Sequence, residues 1–260
     1  HPPGQRAAGP GAPEPAQETS GGGPLNAVSR RDLVADKFAG LGGMQLNWAQ
    51  VGEYTLATIQ EALIDRQVPA ENLAEPRLEV AVPALEAMRY SALRREFALL
   101  IASTMDVATA DEAHPAFVEI LKQLSLDEVN IIALLPAPGQ ALPMANLYHL
   151  DRAGHVRASL RRIIPGTLAA RCSRQGAIPG YIDNMIRLSL IDTPARLKID
   201  DERYYRDLLA QDFVTEHCAR MPALLRPSVE RAVLTLTDLG NRLRRCCFEA
   251  PEPPPRITRA

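Results

Sequence analysis

Between Arg152 and Arg174 the chain carries six arginines, Arg152, Arg157, Arg161, Arg162, Arg171 and Arg174, and no acidic residue. Guanidinium groups at that density can dock phosphate, an RNA strand or the acidic surface of another protein. A solvated hairpin edge guarded by charge has the same composition, so both readings stand. His149 and His155 flank the same stretch. Across a hairpin turn they would be cross-strand neighbours able to hold a metal ion or sense pH, although a solvated pair is the plainer reading.

Other candidate groups are weaker. Asp200, Asp201 and Glu202 offer carboxylates to a divalent cation, but three consecutive residues cannot all face one point on regular structure, which favours a solvated loop. Asp192 and Lys198, with Pro194 between them, only loosely imitate a nuclease site. His114 and Glu119 lie five residues apart and so on different faces of a helix, which makes His114 an exposed cap residue rather than a base. His217-Cys218 is isolated in sequence, and Cys246-Cys247 reads as apolar filler near a helix end, with a redox device as the alternative. Phosphate-loop, nucleophile-elbow and zinc-helix motifs are missing. The expectation is therefore no catalytic residue, no metal ligand set and no cofactor.

The elements that must position these groups follow from periodicity. Val34, Phe38, Leu41, Met44, Trp48 and Val51, then Leu56, Ile59 and Leu63, recur at helical spacing, with Gly40, Gly42 and Gly43 marking a kink, a break or a tight crossing. A second helical block is expected to open at Pro83 and run through Leu85, Met88, Leu93, Phe97, Leu100 and Ile101 to Thr104. Pro115 opens a short helix with Phe117, Ile120, Leu121 and Leu124 on one face. Ser125 and Glu128 have capping-box spacing, and Leu124 with Val129 have staple spacing, so a second helix starts there and ends at Pro136. Asn146 to Leu150 and Val156 to Leu160 flank Asp151-Arg152-Ala153-Gly154 as a β-hairpin. Pro179 and Gly180 precede a helix bearing Tyr181, Met185 and Leu188. Short strands are expected at Ile191 to Thr193 and Val233 to Leu236, a helical stretch near Tyr204 to His217 between them, and a last helix capped by Thr237.

Three helices followed by two strands match the order of a winged helix, with some forty residues inserted in the wing. The fold class expected is α+β, predominantly helical. A helical N-terminal unit (30–112) precedes a winged-helix-like module with a β-hairpin (113–248). Pro/Gly-rich tails at 1–29 and 249–260 lack the apolar side chains that would offset the entropy of ordering them.

Composition sets outer bounds. The 260 residues are 46% hydrophobic, 23% charged and 5% aromatic, which excludes fibrous and wholly disordered classes. A formal charge of −2 gives no global attraction for nucleic acid or anionic membrane, so any such binding is local. Four cysteines without paired C-x-x-C spacing fit a reducing cytoplasm. Phe38 to Gly52 is too short and polar to span a membrane, and Val129 to Leu150 is broken by Pro136, Pro138, Gly139 and Pro143.

The stretch His114-Pro115-Ala116-Phe117-Val118-Glu119-Ile120-Leu121-Lys122-Gln123-Leu124-Ser125 resembles the most recognisable motif of the bacterial Abi-alpha (abortive infection protein alpha) family, a domain of unknown function. Glu96 to Asp106, Tyr181 to Ile191 and Leu234 to Gly240 agree with that family in the expected order, and the similarity covers about Asp36 to Cys247. Asp238 stands where the family usually has proline, and the Gly40 to Gly43 stretch is not associated with it. The resemblance implies a role in antiphage defence and no known reaction or site residue.

Function is thus expected to be that of a cytoplasmic, non-enzymatic defence protein or effector acting by protein–protein contact, with the six arginines as binding residues. Oligomerisation is open. The alternatives are a winged-helix nucleic-acid-binding regulator using Arg157, Arg161 and Arg162, and a toxin that releases Phe38 to Leu63 onto membranes.

Overall fold

The computed structural model describes residues 33–38 and 53–248. Helices α1 (33–38), α2 (Glu53–Asp65), α3 (Leu78–Met88), α4 (Arg94–Met105), α5 (Ala116–Leu121) and α6 (Leu126–Leu134) lead into a hairpin of β1 (Leu142–Leu150) and β2 (Val156–Ile163). Helices α7 (Gly166–Ala169) and α8 (Ile178–Arg187), strand β3 (Ile191–Asp192), helices α9 (Glu202–Leu209) and α10 (Asp212–Ala219), strand β4 (Arg226–Leu236) and helix α11 (Asp238–Cys247) complete it. The fold is mixed α/β. Among the described residues a four-stranded sheet has the order β2-β1-β4-β3, with every pair antiparallel.

At the centre of the helical layer is α4, buried at every residue from Phe97 to Met105 because α2, α3, α5 and α11 all pack on it. A helix enclosed on all sides must find partners for its hydroxyls: Ser103 Oγ reaches Leu99 O at 3.0 Å and Cys246 O of α11 at 2.8 Å, and Thr104 Oγ1 donates to Ile101 O at 2.6 Å. The Arg66 guanidinium, at the end of α2, donates to Cys246 O at 2.9 Å and so caps the C-terminus of α11. One apolar core consequently runs from Val34 to Phe248.

Several local expectations hold. Ser125 and Glu128 form a reciprocal capping box, and Leu124 and Val129 beside it are buried. Asp151 Oδ1 accepts the N–H groups of Ala153 and His155, both at 2.9 Å, and Gly154 takes φ +87° in the hairpin turn. Thr237 caps α11 by accepting Gly240 N–H at 2.9 Å. Gly240 is required there, because a Cβ would stand 2.0 Å from Leu190 O.

Others are corrected. Pro83 lies inside α3 rather than at its start; Val80, Ala81 and Ala84 around it are buried, and that packing outweighs the missing N–H. The block expected from Pro83 to Thr104 is two helices, since the chain breaks at Tyr90 to Leu93. Pro179 and Gly180 form the first turn of α8 instead of preceding it. The first helical stretch is seen as α1 and α2, while Leu41, Met44, Trp48, Val51 and the three glycines fall outside the described residues, as do both tails. Strands β3 and β4 pair as a wing would, at Ile191 with Leu236 and Asp192 with Thr235, but β4 is longer than expected and takes β1 as its main partner. The would-be wing is thereby drawn into the four-stranded sheet.

Candidate interaction surface

Strand β1 runs through the middle of the sheet, and its two faces differ. Ala145 and Leu147 point into a small second core with Ile163, Tyr205, Leu208 and Val214, formed where α9 and α10 cover the sheet. Asn146 and Tyr148 point the other way, because successive strand residues alternate. Their register partners on that face are Glu230 and Ser228 of β4, and Ser159 of β2.

At Asn146 the β1–β2 ladder slips: Ala145 pairs with Ile163 and Leu147 with Leu160, leaving Arg161 and Arg162 opposite one residue. Arg162 adopts φ 58°, a left-handed conformation unfavourable for a side chain of its size. The bulge is held by Asn146, whose Oδ1 accepts Arg162 N–H at 2.8 Å while its Nδ2 donates to Glu230 Oε2 at 2.9 Å. Tyr148 donates its hydroxyl to the same oxygen at 2.9 Å. These two donors hold the Glu230 carboxyl below its ordinary range against the opposing effect of burial. Burial, then the Glu230 charge, pushes the Tyr148 phenol up, with Arg161 and Arg162 pulling the other way. A cleft of about 260 Å³ opens beside this network, lined by Asn146, Arg162, Thr193, Lys198, Glu230 and Arg231 among others.

The six arginines do not form one patch. Arg157, Arg161 and Arg162 gather at the hairpin, where Arg157 pairs with Asp151 at 2.6 Å and Arg162 with Asp183 of α8 at 2.9 Å. Arg152 is exposed in the turn. Arg171 and Arg174 belong to a separate loop anchored by Asp127, whose buried carboxylate accepts the N–H groups of Ser173 and Arg174 and the hydroxyls of Ser173 and Tyr181. Burial opposes ionisation of Asp127, but those four donors prevail and its pKa is lowered. Asn146, Tyr148, Glu230 and Arg231 were missed in the sequence, and Lys198 was named there only beside Asp192 as a loose imitation of a nuclease site. The alternation of Ser228 and Glu230 was their one local signal.

The remaining candidates have structural roles. Asp201 caps α9 through Arg203 N–H at 2.9 Å, and Glu202 pairs with Arg231 at 3.0 Å. His114 Nδ1 accepts Ala116 N–H at 3.1 Å, and Glu119 pairs with Lys122 at 2.7 Å. Cys246 and Cys247 are buried free thiols; burial pushes Cys246 up to about 11 and Cys247 well above its ordinary value, which suits packing rather than nucleophilic work. His149 and His155 are not neighbours: His149 pairs with Ala158 in register, and exposed His155 lies 3.4 Å from Asp151.

The fold and this surface define a class: a mixed α/β protein whose antiparallel sheet is covered by α9 and α10 on one face, while the other face packs on the helical core at Met144 and Leu234 and is polar and arginine-bearing from Asn146 onward. The family described as abortive infection alpha matches residues 51–247, and the chain belongs to it. The four resembling stretches fall on α4, on α5 with the cap of α6, on α8 with β3, and on the junction of β4 and α11, where they pack and cap helices. No curated protein matches the chain. A solved structure of an uncharacterised protein from the hydrocarbon-degrading marine bacterium Alcanivorax borkumensis SK2 is similar at 19% identity, covering 59% of this chain and 94% of that one with a TM-score of 0.31. Among the described residues no helix is long and apolar enough to cross a membrane.

Proposed function

We propose that this chain serves abortive-infection defence in the bacterial cytoplasm as a non-enzymatic effector, and that the polar sheet face docks a protein surface of mixed charge. Family membership supports the defence role. The carrying observation for the mode of action is the interleaving of charge on that face: Arg157, Arg161 and Arg162 stand among Asp151, Asp183 and Glu230. A phosphate backbone would be repelled by those carboxylates, whereas a protein surface can complement both signs.

We read the helices α6 and α8 with the β3–β4 pair as a winged-helix-like module. In this reading the module is a contact platform, since Asp183 of α8 is engaged by Arg162, and Arg187 by Asn184 and Gln123. Affinity capture from infected and uninfected cells tests the proposal, comparing the wild type with the triple variant Arg157→Ala, Arg161→Ala, Arg162→Ala. An infection-specific protein captured by the wild type and lost from the variant is expected. Steep salt-dependent binding of DNA or RNA, abolished by the same variant, would overturn it in favour of a nucleic-acid regulator.

A further inference from the structure

The covered side of β1 holds a second group of polar atoms, unlike the first in leaving two buried nitrogens without a bond. His149 follows Leu147 on that side and is 2% exposed. Its register neighbours are Ala158 and Pro227, whose side chains offer no polar atom. Facing it from α10 is His217, one helical turn beyond Val214, which is buried in the same small core. The imidazole centroids are 5.2 Å apart and the rings are tilted by 58°. His149 Nδ1 and His217 Nε2 are both buried without a hydrogen-bond partner, so neither ring satisfies the other.

Two orphaned imidazole nitrogens are costly, because buried polar atoms in native folds almost always have a partner; His217 itself is half-buried, at the solvent edge of the layer. An atom shared between the rings would satisfy both. Imidazole is the commonest nitrogen ligand for zinc, copper and nickel. With Zn–N bonds of about 2.0–2.1 Å, two imidazoles at tetrahedral angles set their centroids about 5 Å apart, close to the spacing here. Burial, then the neighbouring His217, lowers the His149 pKa, which keeps a lone pair available near neutral pH.

We propose that His149 and His217 together bind one divalent transition-metal ion, of which Zn²⁺ is the type, and that this ion clamps α10 to the sheet. The described residues contain no group of three or more histidine, cysteine or carboxylate ligands, so water completes the coordination. Cys218 is exposed and adjacent to His217 on the helix, which turns it away from the pair.

Calorimetric titration of the full chain with zinc chloride at pH 7.5 is the test, alongside nitrogen NMR of the labelled imidazoles. One ion per chain is expected, with both rings shifting together. His217→Gln should weaken binding at least tenfold, while the double variant His155→Gln, Cys218→Ser keeps affinity within twofold. His149→Gln adds a check, but its burial puts folding at risk, so the wild-type imidazole shifts stand as the independent readout. Binding unchanged in His217→Gln, binding lost in the double variant, or rings unmoved by zinc would each overturn the proposal, the last leaving a bridging water only.

Discussion

Asn146 and His149 lie three residues apart on one strand, 6% and 2% exposed, yet they occupy opposite chemical situations. On the polar face Asn146 spends both ends of its amide, on Arg162 N–H and on Glu230. On the covered face His149 and its neighbour His217 leave a nitrogen each without a bond. Burial alone therefore does not distinguish a structural polar residue from one awaiting a partner. What distinguishes them is whether the strands beside it supply the complementary atoms, as β2 and β4 do for Asn146 and do not for His149.

Three measurements would break or sharpen that contrast. Asn146→Leu should be the most damaging, because it strands the Arg162 N–H and leaves Glu230 Oε2 with the Tyr148 hydroxyl as its remaining donor; a loss on the order of 2 kcal/mol in urea unfolding is expected. His149→Leu should move stability in the opposite direction in metal-free buffer, by a gain of about 1 kcal/mol, since it removes a buried atom that has no bond to lose. A loss comparable to that of Asn146→Leu would show that the His149 nitrogen does have a partner.

The smallest effect is expected from pH. The folded-state pKa of His149 is depressed by burial and then by His217, below the ordinary value of 6.5. At pH values above the unfolded-state pKa both states are neutral and the full stability is present. As pH falls through that value toward the folded pKa, the unfolded chain takes up the proton first and stability drops. Urea midpoints of the wild type should thus decline between pH 7.5 and 5.5 more than those of His149→Leu, and equal slopes would remove His149 as the cause.

Much of the local architecture was legible. The Ser125–Glu128 box, the Asp151–Gly154 turn and the Thr237 cap are each made by residues within four positions of one another, so spacing alone reveals them. The arginine stretch was visible too, although only half of it converges at the hairpin. Pro83 misled because its preference for a first turn is a local one, overridden by the burial of Val80, Ala81 and Ala84. His155 misled for a related reason: the β1–β2 register shifts between His149 and Leu150, which seats His149 opposite Ala158.

The residue sequence by itself determined the caps that open α6 and α11 and the turn that closes the hairpin, because those choices are settled by contacts between near neighbours in the chain. Tertiary structure alone decided that Glu230 would meet Asn146, 84 positions away, and that His217 would face His149. Both meetings depend on strand register and on α9 and α10 folding back over the sheet, and a one-residue slip in either would send the same side chains to the other face.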